Sequence, residues 1–553
     1  MIDKKQAIGY ETHTTLPAKI FGWTSSFGLV ILFLLIGFPI HSFAQPGGRI
    51  EIVHANDLHA MRINNEDVQK LKGNVLFRQN DVTMACDSAI LYVARDVLNA
   101  FGNVHINQHD TVNLYGNLLD YNGMTKYAVI REKVRMTDRK MTLLTEQLDY
   151  DFNKREAFYN TGGNITDAEN KLTSKIGYYF SETRDMYFKK DVVLVNPKFV
   201  MKCDTLQYNI ISRRAIFHGP TYITSEKDLI YCEAGWYNTE TNKAQFIKKV
   251  FMQSESQTLY CDTLYYDRPK GFAKALESIR ILDTTEKLLI QGQYAEYYQL
   301  EKKSFITNQV LVTKALKNDS MFMSSDTIRT SYDSSGTHKI IRGYYHGKVY
   351  NKEFQAISDS LIYSTVDSTL DMRIKPIFWF GLYQATAKRI LMHTKNNRIS
   401  RADLYQDAFL VSQEDSLRYS QIKGRDMIAY FKMNELYKID VNGNSESIYY
   451  VRDDSKGYIG MNKIISSDIK IDVKDRKISR INFIKDPDAT LTPVKDVKPE
   501  EAKLPGFSWH GAERPKSLED IKRPRDKPVT TKPVTPEKKS ENGGRKDKKK
   551  RGK

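Results

Sequence analysis

The residues of this sequence whose types and spacing best fit a metal site are Asp57 and His59. An aspartate with a histidine two residues later, directly after a strand, offers a carboxylate and an imidazole to one divalent cation. The apolar segment 50–53 precedes them and has the composition of a strand. The alternative is that segment 50–53 is simply a first strand, and that Asp57 and His59 belong to the polar turn after it.

This segment is similar to the first metal-binding motif of 5′-nucleotidase-type phosphoesterases. That family also needs a downstream Gly-Asn-His segment, which the sequence lacks. The patterns Gly-x-Ser-x-Gly, His-Glu-x-x-His and the Walker A loop are absent as well. His105 and His109 are four residues apart, but on a strand this spacing does not bring two ligands together. The sequence therefore predicts no catalytic residues, no metal site and no cofactor.

The four cysteines are the other reactive side chains, and three of them recur at one spacing. Cys203, Cys232 and Cys261 are 29 residues apart, and Cys86 lies one residue off the same phase. They either fill a small buried position, where another repeat has Gly116, or form one disulfide, Cys203–Cys232 or Cys232–Cys261. A zinc site is disfavoured because this spacing, without a matching histidine, gives no local chelate.

The elements that carry these residues are copies of one repeat. The segment Cys203–Asn209 recurs at 232–238 and at 261–267, and tyrosines in the same phase continue upstream to Tyr92 in steps of 29 residues. A fixed period of 20–50 residues is the signature of a stacked repeat protein, in which each unit packs on its neighbours. The chain is therefore predicted to be an elongated array.

A second strand recurs between the Tyr segments. It follows a Gly-Asn pair at 73–75 and again at 102–104, and this pair favours a turn with positive φ before the strand. Apolar residues alternate along these strands, which is the pattern of a half-buried strand. No segment within 50–480 keeps a helical period. The sequence predicts an all-β array of about thirteen units, with at least two strands in each.

An aspartate leads many of the Tyr strands, as at Asp204, Asp262, Asp359 and Asp426. A residue that recurs in every unit is unsuited to a single active site. We expect these carboxylates to accept hydrogen bonds from backbone N–H groups at turns.

Composition divides the chain into four segments. Residues 1–44 are predicted to be a cleavable signal peptide, because lysines precede a short apolar run that ends in Ser-Phe-Ala. Residues 50–320 hold the regular repeats, and residues 321–485 a degenerate continuation of them. Residues 486–553 are predicted to be a disordered, Pro- and Lys-rich basic tail. From residue 485 onward, 20 Lys/Arg and 12 Asp/Glu supply about half of the net charge of +17.

The recurrent Leu and Tyr suggest what the array binds. In Cys-Asp-Thr-Leu-x-Tyr, simple alternation places Asp, Leu and Tyr on one face of the strand and Cys and Thr on the other. Stacked repeats would then form an apolar stripe, which is either a closed core or a groove open along its length to a long amphipathic ligand. The groove candidates are Val75, Val104, Leu119, Tyr121, Val134, Leu148, Tyr150, Leu206, Tyr208, Val250, Leu264 and Tyr266.

The alternation of Gly-Asn-Val strands with Asp-x-Leu-x-Tyr strands, behind a signal peptide, resembles the OstA-like family. That family includes the periplasmic lipopolysaccharide-transport proteins of the Lpt bridge and the N-terminal domain of the outer-membrane lipopolysaccharide assembly protein. The likeness is strong over residues 50–320 and rests on four segments, Gly73-Asn74-Val75, Gly102-Asn103-Val104, Cys86-Asp87 and Cys203–Tyr208. It implies an elongated, V-shaped β-jellyroll that holds acyl chains inside and joins partner jellyrolls through strand edges.

The resemblance implies a non-enzymatic periplasmic protein that binds lipopolysaccharide during export to the outer membrane. The basic tail would contact that membrane, and the alternative for the tail is a solvated segment that aids solubility. Nucleic acid is not an expected partner, because no recognition helix, zinc pattern or aromatic RNA-binding strand accompanies the basic charge. The alternative function is a closed structural β-repeat protein for envelope assembly or adhesion.

Overall fold

The structure is a computed structural model that describes residues 48–108, 112–139, 141–316, 319–395, 398–453, 457–475, 477–485 and 487–522. The predicted signal peptide, residues 1–44, and His109 lie outside the described residues. Most of the described chain is strand, and all the strands join one antiparallel sheet in which strands close in sequence pair with each other. The predicted all-β array is confirmed.

The strands are long and follow one another with short turns. In the first half they are β1 Glu51–His54, β2 Asp57–Ile63, β3 Glu66–Gln79, β4 Val82–Tyr92, β5 Val97–Gln108, β6 Val112–Asn122, β7 Tyr127–Asp138, β8 Met141–Asp151, β9 Glu156–Tyr159, β10 Gly163–Thr166, β11 Lys171–Ser174, β12 Ile176–Phe180, β13 Asp185–Asn196, β14 Phe199–Asn209, β15 Arg214–Thr224, β16 Asp228–Asn238, β17 Lys243–Ser254 and β18 Gln257–Asp267. In the second half they are β19 Phe272–Asp283, β20 Leu288–Tyr298, β21 Lys303–Ala315, β22 Ser320–Tyr332, β23 Lys339–Tyr350, β24 Phe354–Ser364, β25 Thr369–Arg373, β26 Ile377–Phe380, β27 Tyr383–Thr386, β28 Arg389–Lys395, β29 Arg398–Gln413, β30 Tyr419–Lys432, β31 Glu435–Arg452, β32 Tyr458–Lys474, β33 Lys477–Ile484 and β34 Asp488–Pro493. The helices of the described residues are two 3₁₀ turns, Val494–Asp496 and Gly511–Glu513, and α1, Leu518–Lys522.

A β-bulge bends the array once in every repeat. In β5, Phe101 pairs with Leu118 and Val104 with Gly116, so that two residues of β5 oppose one of β6. The bulged pair, Gly102 and Asn103, has φ of 75° and 43°. The Gly-Asn pair thus has the predicted positive φ, but it bends a continuous strand instead of forming a turn before one. Equivalent positive-φ sites occur at thirteen levels, at residues 73–74, 102–103, 132–133, 162, 190–191, 219, 248–249, 277–278, 308–309, 345–346, 374–375, 406–407 and 443–444.

The recurrent aspartates lie opposite these bulges. The carboxylate of Asp426 accepts a hydrogen bond from the backbone N–H of Gln406 at 3.0 Å, and Gln406 is itself a bulge residue. At an earlier level, the amide of Asn103 donates to Asp87 at 2.9 Å. The predicted backbone hydrogen bond is therefore present at Asp426, whereas at Asp87 the donor is a side-chain amide.

The bulges divide each long strand into two arms that face each other across one core. We call the half that contains residues such as Val75 and Val250 the Val arm, and the half that contains residues such as Tyr121 and Tyr208 the Tyr arm. The turns that join successive strands lie at the free ends of the two arms, opposite the bulges. A single cluster of buried apolar side chains runs between the arms from Ile50 to Val473.

The bulge also changes which side chains point into this core. Simple alternation places Asp204 on the face of Leu206 and Tyr208, with Cys203 opposite. In the structure Cys203, Leu206 and Tyr208 are buried and Asp204 is exposed. The prediction was wrong because the register with both neighbouring strands shifts at this point, so residues three apart, Cys203 and Leu206, both point inward.

The four cysteines are unpaired and buried. Each of Cys86, Cys203 and Cys261 pairs across the sheet with the valine that follows a bulge. In the repeat after Cys86, Gly116 pairs in the same way with the valine that follows the bulge. The small buried position is therefore the alternative that the structure supports, and neither disulfide is present.

We expect the native protein to react very slowly with thiol reagents at pH 8. Burial raises the pKa of Cys86 to about 11 and that of Cys203, Cys232 and Cys261 to about 12. At these pKa values only about one thiol in a thousand for Cys86, and about one in ten thousand for the other three, is the reactive thiolate at pH 8. Absorbance with an aromatic disulfide reagent should show four thiols in denaturant and none within minutes in buffer. Lys248→Cys, at an exposed position, is the positive control, and rapid native reaction of the unmodified chain would contradict the burial.

The segment after residue 486 differs from its prediction. It was predicted to be a disordered tail, but residues 487–522 form β34, the 3₁₀ turns and α1, and they cover the outer face of the Val arm, with Leu504 and Ile521 buried. Proline and lysine content shows that a segment builds no core of its own, but it does not show whether an existing sheet offers it a surface. Residues 523–553 lie outside the described residues.

Candidate functional site

The twelve groove candidates all lie between the two arms. Eleven of them are buried, and Tyr266 is partly exposed. Leu206 and Tyr208 line one cavity, and Leu264 and Tyr266 line another. The other eight pack in closed parts of the core, where they line neither cavity: Val75, Val104, Leu119, Tyr121, Val134, Leu148, Tyr150 and Val250.

Hydrogen bonds across the free ends of the arms close the first repeats. Gln79, at the end of the Val arm, accepts a hydrogen bond from the Tyr121 hydroxyl and donates one to the carbonyl of Gly123 at 2.9 Å. Two repeats later Asp138 accepts hydrogen bonds from the Tyr179 hydroxyl and the Arg184 guanidinium. The Asp138 side chain is 1% exposed and that of Arg184 is 16% exposed, so this second bridge is almost fully desolvated.

A third bridge closes the array further along. The Lys339 ammonium of the Tyr arm reaches Asp283 of the Val arm at 2.5 Å, and both side chains are buried. Burial alone would raise the pKa of Asp283, but the N–H of Glu286 and the Lys339 charge stabilise the carboxylate and hold the pKa below its usual value. Nearby, Thr365 donates to Glu286 at 3.2 Å across the same gap.

Between the second and third bridges the core is open at the free ends of the arms. Among the described residues, no partly exposed apolar side chain packs on the core between Ala55 and Phe199, whereas ten do so within residues 199–281. We call residues 199–281 the open section. Its partly exposed inward side chains are Phe199, Ile210, Ile223, Ile230, Tyr237, Met252, Leu259, Tyr266, Ala273 and Ile281.

Two cavities lie along this opening. The first, about 240 Å³, is lined by apolar side chains of both arms, including Leu172, Leu194 and Leu206, and it reaches the Asp138–Arg184 bridge. The second, about 350 Å³, has an apolar wall that includes Met252 and Leu259, has polar residues such as Gln257 and Thr330 around it, and reaches Lys339 of the third bridge. The interior of the open section therefore offers solvent an apolar wall with polar residues around it, and a bridge lies near each end.

Comparison with protein families identifies these repeats. A family model described as OstA-like protein matches residues 48–204 and 229–326. The chain belongs to the OstA-like family. No curated protein matches it. The matched residues include Gln79, Asp138 and Asp283 of the three bridges and most of the open section. Residues 205–228, which include Leu206 and Tyr208 of the first cavity, lie between the two matched segments.

The sequence of this OstA-like protein explains why the open section lacks bridges. The last Val-arm residue of a repeat is Asp138 or Asp283 at a bridge. The equivalent residue is Asn196 just before the open section and Ser225 within it. Asn196 accepts the N–H of Lys198 at 3.0 Å and Ser225 that of Asp228 at 3.1 Å. The hydrogen bonds of these short side chains stay at the ends of the Val arm, where Asn196 also donates to Asn170 of the neighbouring turn at 2.9 Å.

The Tyr-arm turn residues that face the end of the Val arm also change in the same repeats. The Tyr-arm turn position of Arg184 is taken by Arg213, Asn242 and Gly271 in the next three repeats. Arg213 lines the first cavity, but the carboxylate facing that repeat, Asp167, accepts the N–H groups of Glu169 and Asn170 instead. Arg213 therefore carries a charge at the rim without forming a bridge.

Several residues of the open section were missed by sequence reasoning. Met252, Leu259 and Ile281 were not among the candidates. Each of them nevertheless lies two residues along its strand from an inward-facing position that recurs in the repeats. Period-two alternation within the Val strands identifies them as inward-facing. Their partial exposure depends on the separation of the arms, which the alternation does not report.

The residues proposed for other chemistry are not assembled into a site. Asp57 and His59 lie on β2, whose seven residues are all exposed. Within the described ranges, no group of three or more His, Cys, Asp or Glu side chains is placed to hold a metal ion. Of the helices that the structure describes, none is long and apolar enough to cross a bilayer.

Proposed function

We propose that this OstA-like protein binds the acyl chains of lipopolysaccharide in the open section during export to the outer membrane. The observation that carries the proposal is the exposure of the apolar interior at residues 199–281, between two buried ionic bridges. Each methylene moved from water to such a surface contributes about 0.8 kcal/mol. An amphipathic lipid with several chains gains most from a long, narrow apolar wall of this kind. The proposed role is non-enzymatic and periplasmic.

The rim of the opening suits an anionic head group. Arg139 and Arg213 line the first cavity, and Lys302 lines the second. None of these three forms an ion pair with a carboxylate of the described residues. Asp167, Asp228 and Glu255 also lie at the rim, so the charge is mixed. The phosphates of lipid A would pair with the three cations while the chains lie against the apolar walls.

The ends of the sheet supply the proposed partner contacts. Within the described residues, β1 and β2 pair only with β3, and β33 and β34 pair only with β32. Each end therefore presents backbone N–H and C=O groups on its free side, where another jellyroll of the same kind can add strands. Membrane contact through the basic residues 523–553 remains part of the proposal.

Photo-crosslinking tests whether lipid reaches the open section. With benzoylphenylalanine at Tyr208 or Tyr266, irradiation of cell envelopes should give lipopolysaccharide adducts, because both rings line a cavity. At Tyr437, which is 46% exposed on a strand far from the opening, the same replacement should give none. Purification followed by immunoblotting for lipopolysaccharide reads out the adducts. A folded protein with no adducts at Tyr208 and Tyr266 would favour the closed structural protein instead.

A further inference from the structure

A row of aromatic side chains crosses the outer face of the Val arm beside the open section. Four successive strands, β15 to β18, each place one aromatic residue at the same cross-strand level. A cation follows at each end of the row, Lys202 on β14 and Arg280 on β19. We call Tyr222, Tyr231, Phe251 and Tyr260 the aromatic row, which Lys202 and Arg280 flank.

The rings of this row contact each other and remain partly open to solvent. The ring centroids of Tyr222 and Tyr231 are 5.0 Å apart, and those of Phe251 and Tyr260 are 5.2 Å apart. Arg280 lies over the Tyr260 ring at 5.6 Å. Tyr222 is 49% exposed and Tyr260 39% exposed. Cross-strand aromatic pairs stabilise a sheet, but a solvent-exposed row of four is also a flat surface on which a ligand can stack.

The position of the row ties it to the lipid site. Phe251 and Tyr260 point outward, whereas their chain neighbours Met252 and Leu259 line the second cavity. The rim of that cavity includes Gln257, three residues from Tyr260, which is about 10 Å along a strand. A group attached to a lipid head at this rim must pass over the turns at the end of the Val arm to reach the aromatic row on the outer face.

The chemistry of the row favours saccharide over a second acyl chain. The C–H face of a pyranose packs on an aromatic ring, and three of the four rings also carry a hydroxyl that can hydrogen-bond. Gln253 and Thr258 pair with each other on the same outer face and supply further polar groups. Lys202 and Arg280, which form no ion pair with a described carboxylate, match acidic or phosphorylated sugars.

We propose that the aromatic row binds the saccharide part of the glycolipid whose acyl chains lie in the open section. This inference rests on the proposed function and adds a second contact for the same ligand, on the opposite face of the same strands. The lipid chains lie inside the array, the head group at the rim, and the first sugars on the outer wall. One ligand would then contact both the inner and the outer face of the Val arm.

The test separates the two contacts with two probes and two variants. The first probe is the lipid-free polysaccharide released from lipopolysaccharide by mild acid, titrated calorimetrically. The second is lipid A, followed by displacement of an environment-sensitive dye. Tyr222→Val with Tyr260→Val removes two rings while keeping strand propensity. Tyr437→Val, which removes an exposed ring elsewhere in the array, is the matched control.

We expect the double variant to bind the polysaccharide at least tenfold more weakly, and Tyr437→Val to bind it within twofold of the unchanged protein. Lipid A binding should be the same in all three, and circular dichroism should show the same melting curve for the two variants. The inference is overturned if the unchanged protein does not bind the polysaccharide, or if the double variant binds it equally well. If the unchanged protein binds the polysaccharide but not lipid A, the proposed function is refuted and the saccharide site is retained.

Discussion

A variant that carries Met252→Asp and Leu259→Asp should lose lipopolysaccharide while keeping its fold. The two side chains pair with each other across β17 and β18 and point into the second cavity. Because both are only partly buried, an aspartate at either position can reach water. The substitution therefore changes the wall that a lipid contacts more than it changes the core.

The expected loss of binding is large. Removing two large apolar side chains from an acyl-chain wall forfeits about 3–6 kcal/mol, and two carboxylates add the cost of desolvating charge against a lipid. Since 1.4 kcal/mol is a factor of ten, binding should weaken by roughly 100-fold or more. The measurement is the lipopolysaccharide that copurifies with the protein, confirmed by dye displacement with purified lipid.

The matched control places the same charges on the outside of the Val arm. Leu144 and Val195 are 47% and 42% exposed, and neither lines either cavity of the open section. Leu144→Asp with Val195→Asp should leave lipopolysaccharide binding unchanged, and both double variants should melt within a few degrees of the original protein. If the Met252 and Leu259 pair can be replaced without any loss of lipopolysaccharide, the open section is not where the lipid binds.

The sequence was sufficient to predict the repeat, its period and the recurrent Leu and Tyr that point inward. Tyrosines in one phase and the Gly-Asn pairs marked the two strands of each unit, because a repeat must satisfy the same packing at every level. For the cysteines the same reasoning offered the small position marked by Gly116 as one of two alternatives, and the structure excludes the disulfide. Each of these features depends on a short segment of the sequence, and that segment recurs in many repeats.

Features that depend on two arms meeting could not be predicted in this way. Asp138 and Asp283 form bridges because Arg184 and Lys339 stand opposite, 46 and 56 residues away. The sequence shows each of these residues, but it does not show that the two arms bring the partners of a bridge together. The open section is therefore visible only once the arms are placed, although the change to Asn196 and Ser225 at the end of the strands was a usable signal.

The position of Gly235 shows how neighbours can override the repeat. Leu206 and Leu264 occupy this position in the adjacent units, yet here the residue is glycine. Phe217 and Phe246 pair with it from both sides, and a side chain on Gly235 would overlap the Phe217 ring and the backbone of β17. The core volume of this unit is thus kept by two phenylalanines instead of a leucine, an exchange that the period alone does not reveal.

Ending the chain after Pro493 should strongly destabilise the second half of the array. The described segment 494–522 runs across the strands of the Val arm from β30 to β22. Gln421 exchanges two hydrogen bonds with its backbone, at Ala502 and Leu504, both at 2.8 Å. Gln384 does the same at Ser508 and His510, at 2.8 and 2.7 Å.

Removing this segment uncovers apolar surface as well as these two glutamines. Leu504 packs with Phe409, Val411, Ile448, Tyr450 and Met461 in a cluster on the outer face. Leu504 and Ile521 are each 2% exposed, and burying such side chains contributes about 1.5–3 kcal/mol apiece. The four lost hydrogen bonds add about 1 kcal/mol each, and Gln421 and Gln384 regain water in exchange. We expect a fall of several kcal/mol and a melting temperature lower by about 10 °C.

The control ends the chain after Lys522 and so removes only the basic residues 523–553. That variant should melt like the full chain, whereas the shorter one should bind a hydrophobic dye and aggregate at lower temperature. Equal stability of the two truncated proteins would show that segment 494–522 is not needed to cover the sheet. The expected difference arises because the later repeats place a cluster that includes Val411, Ile448 and Met461 on the outer face of the Val arm, and residues 494–522 cover it.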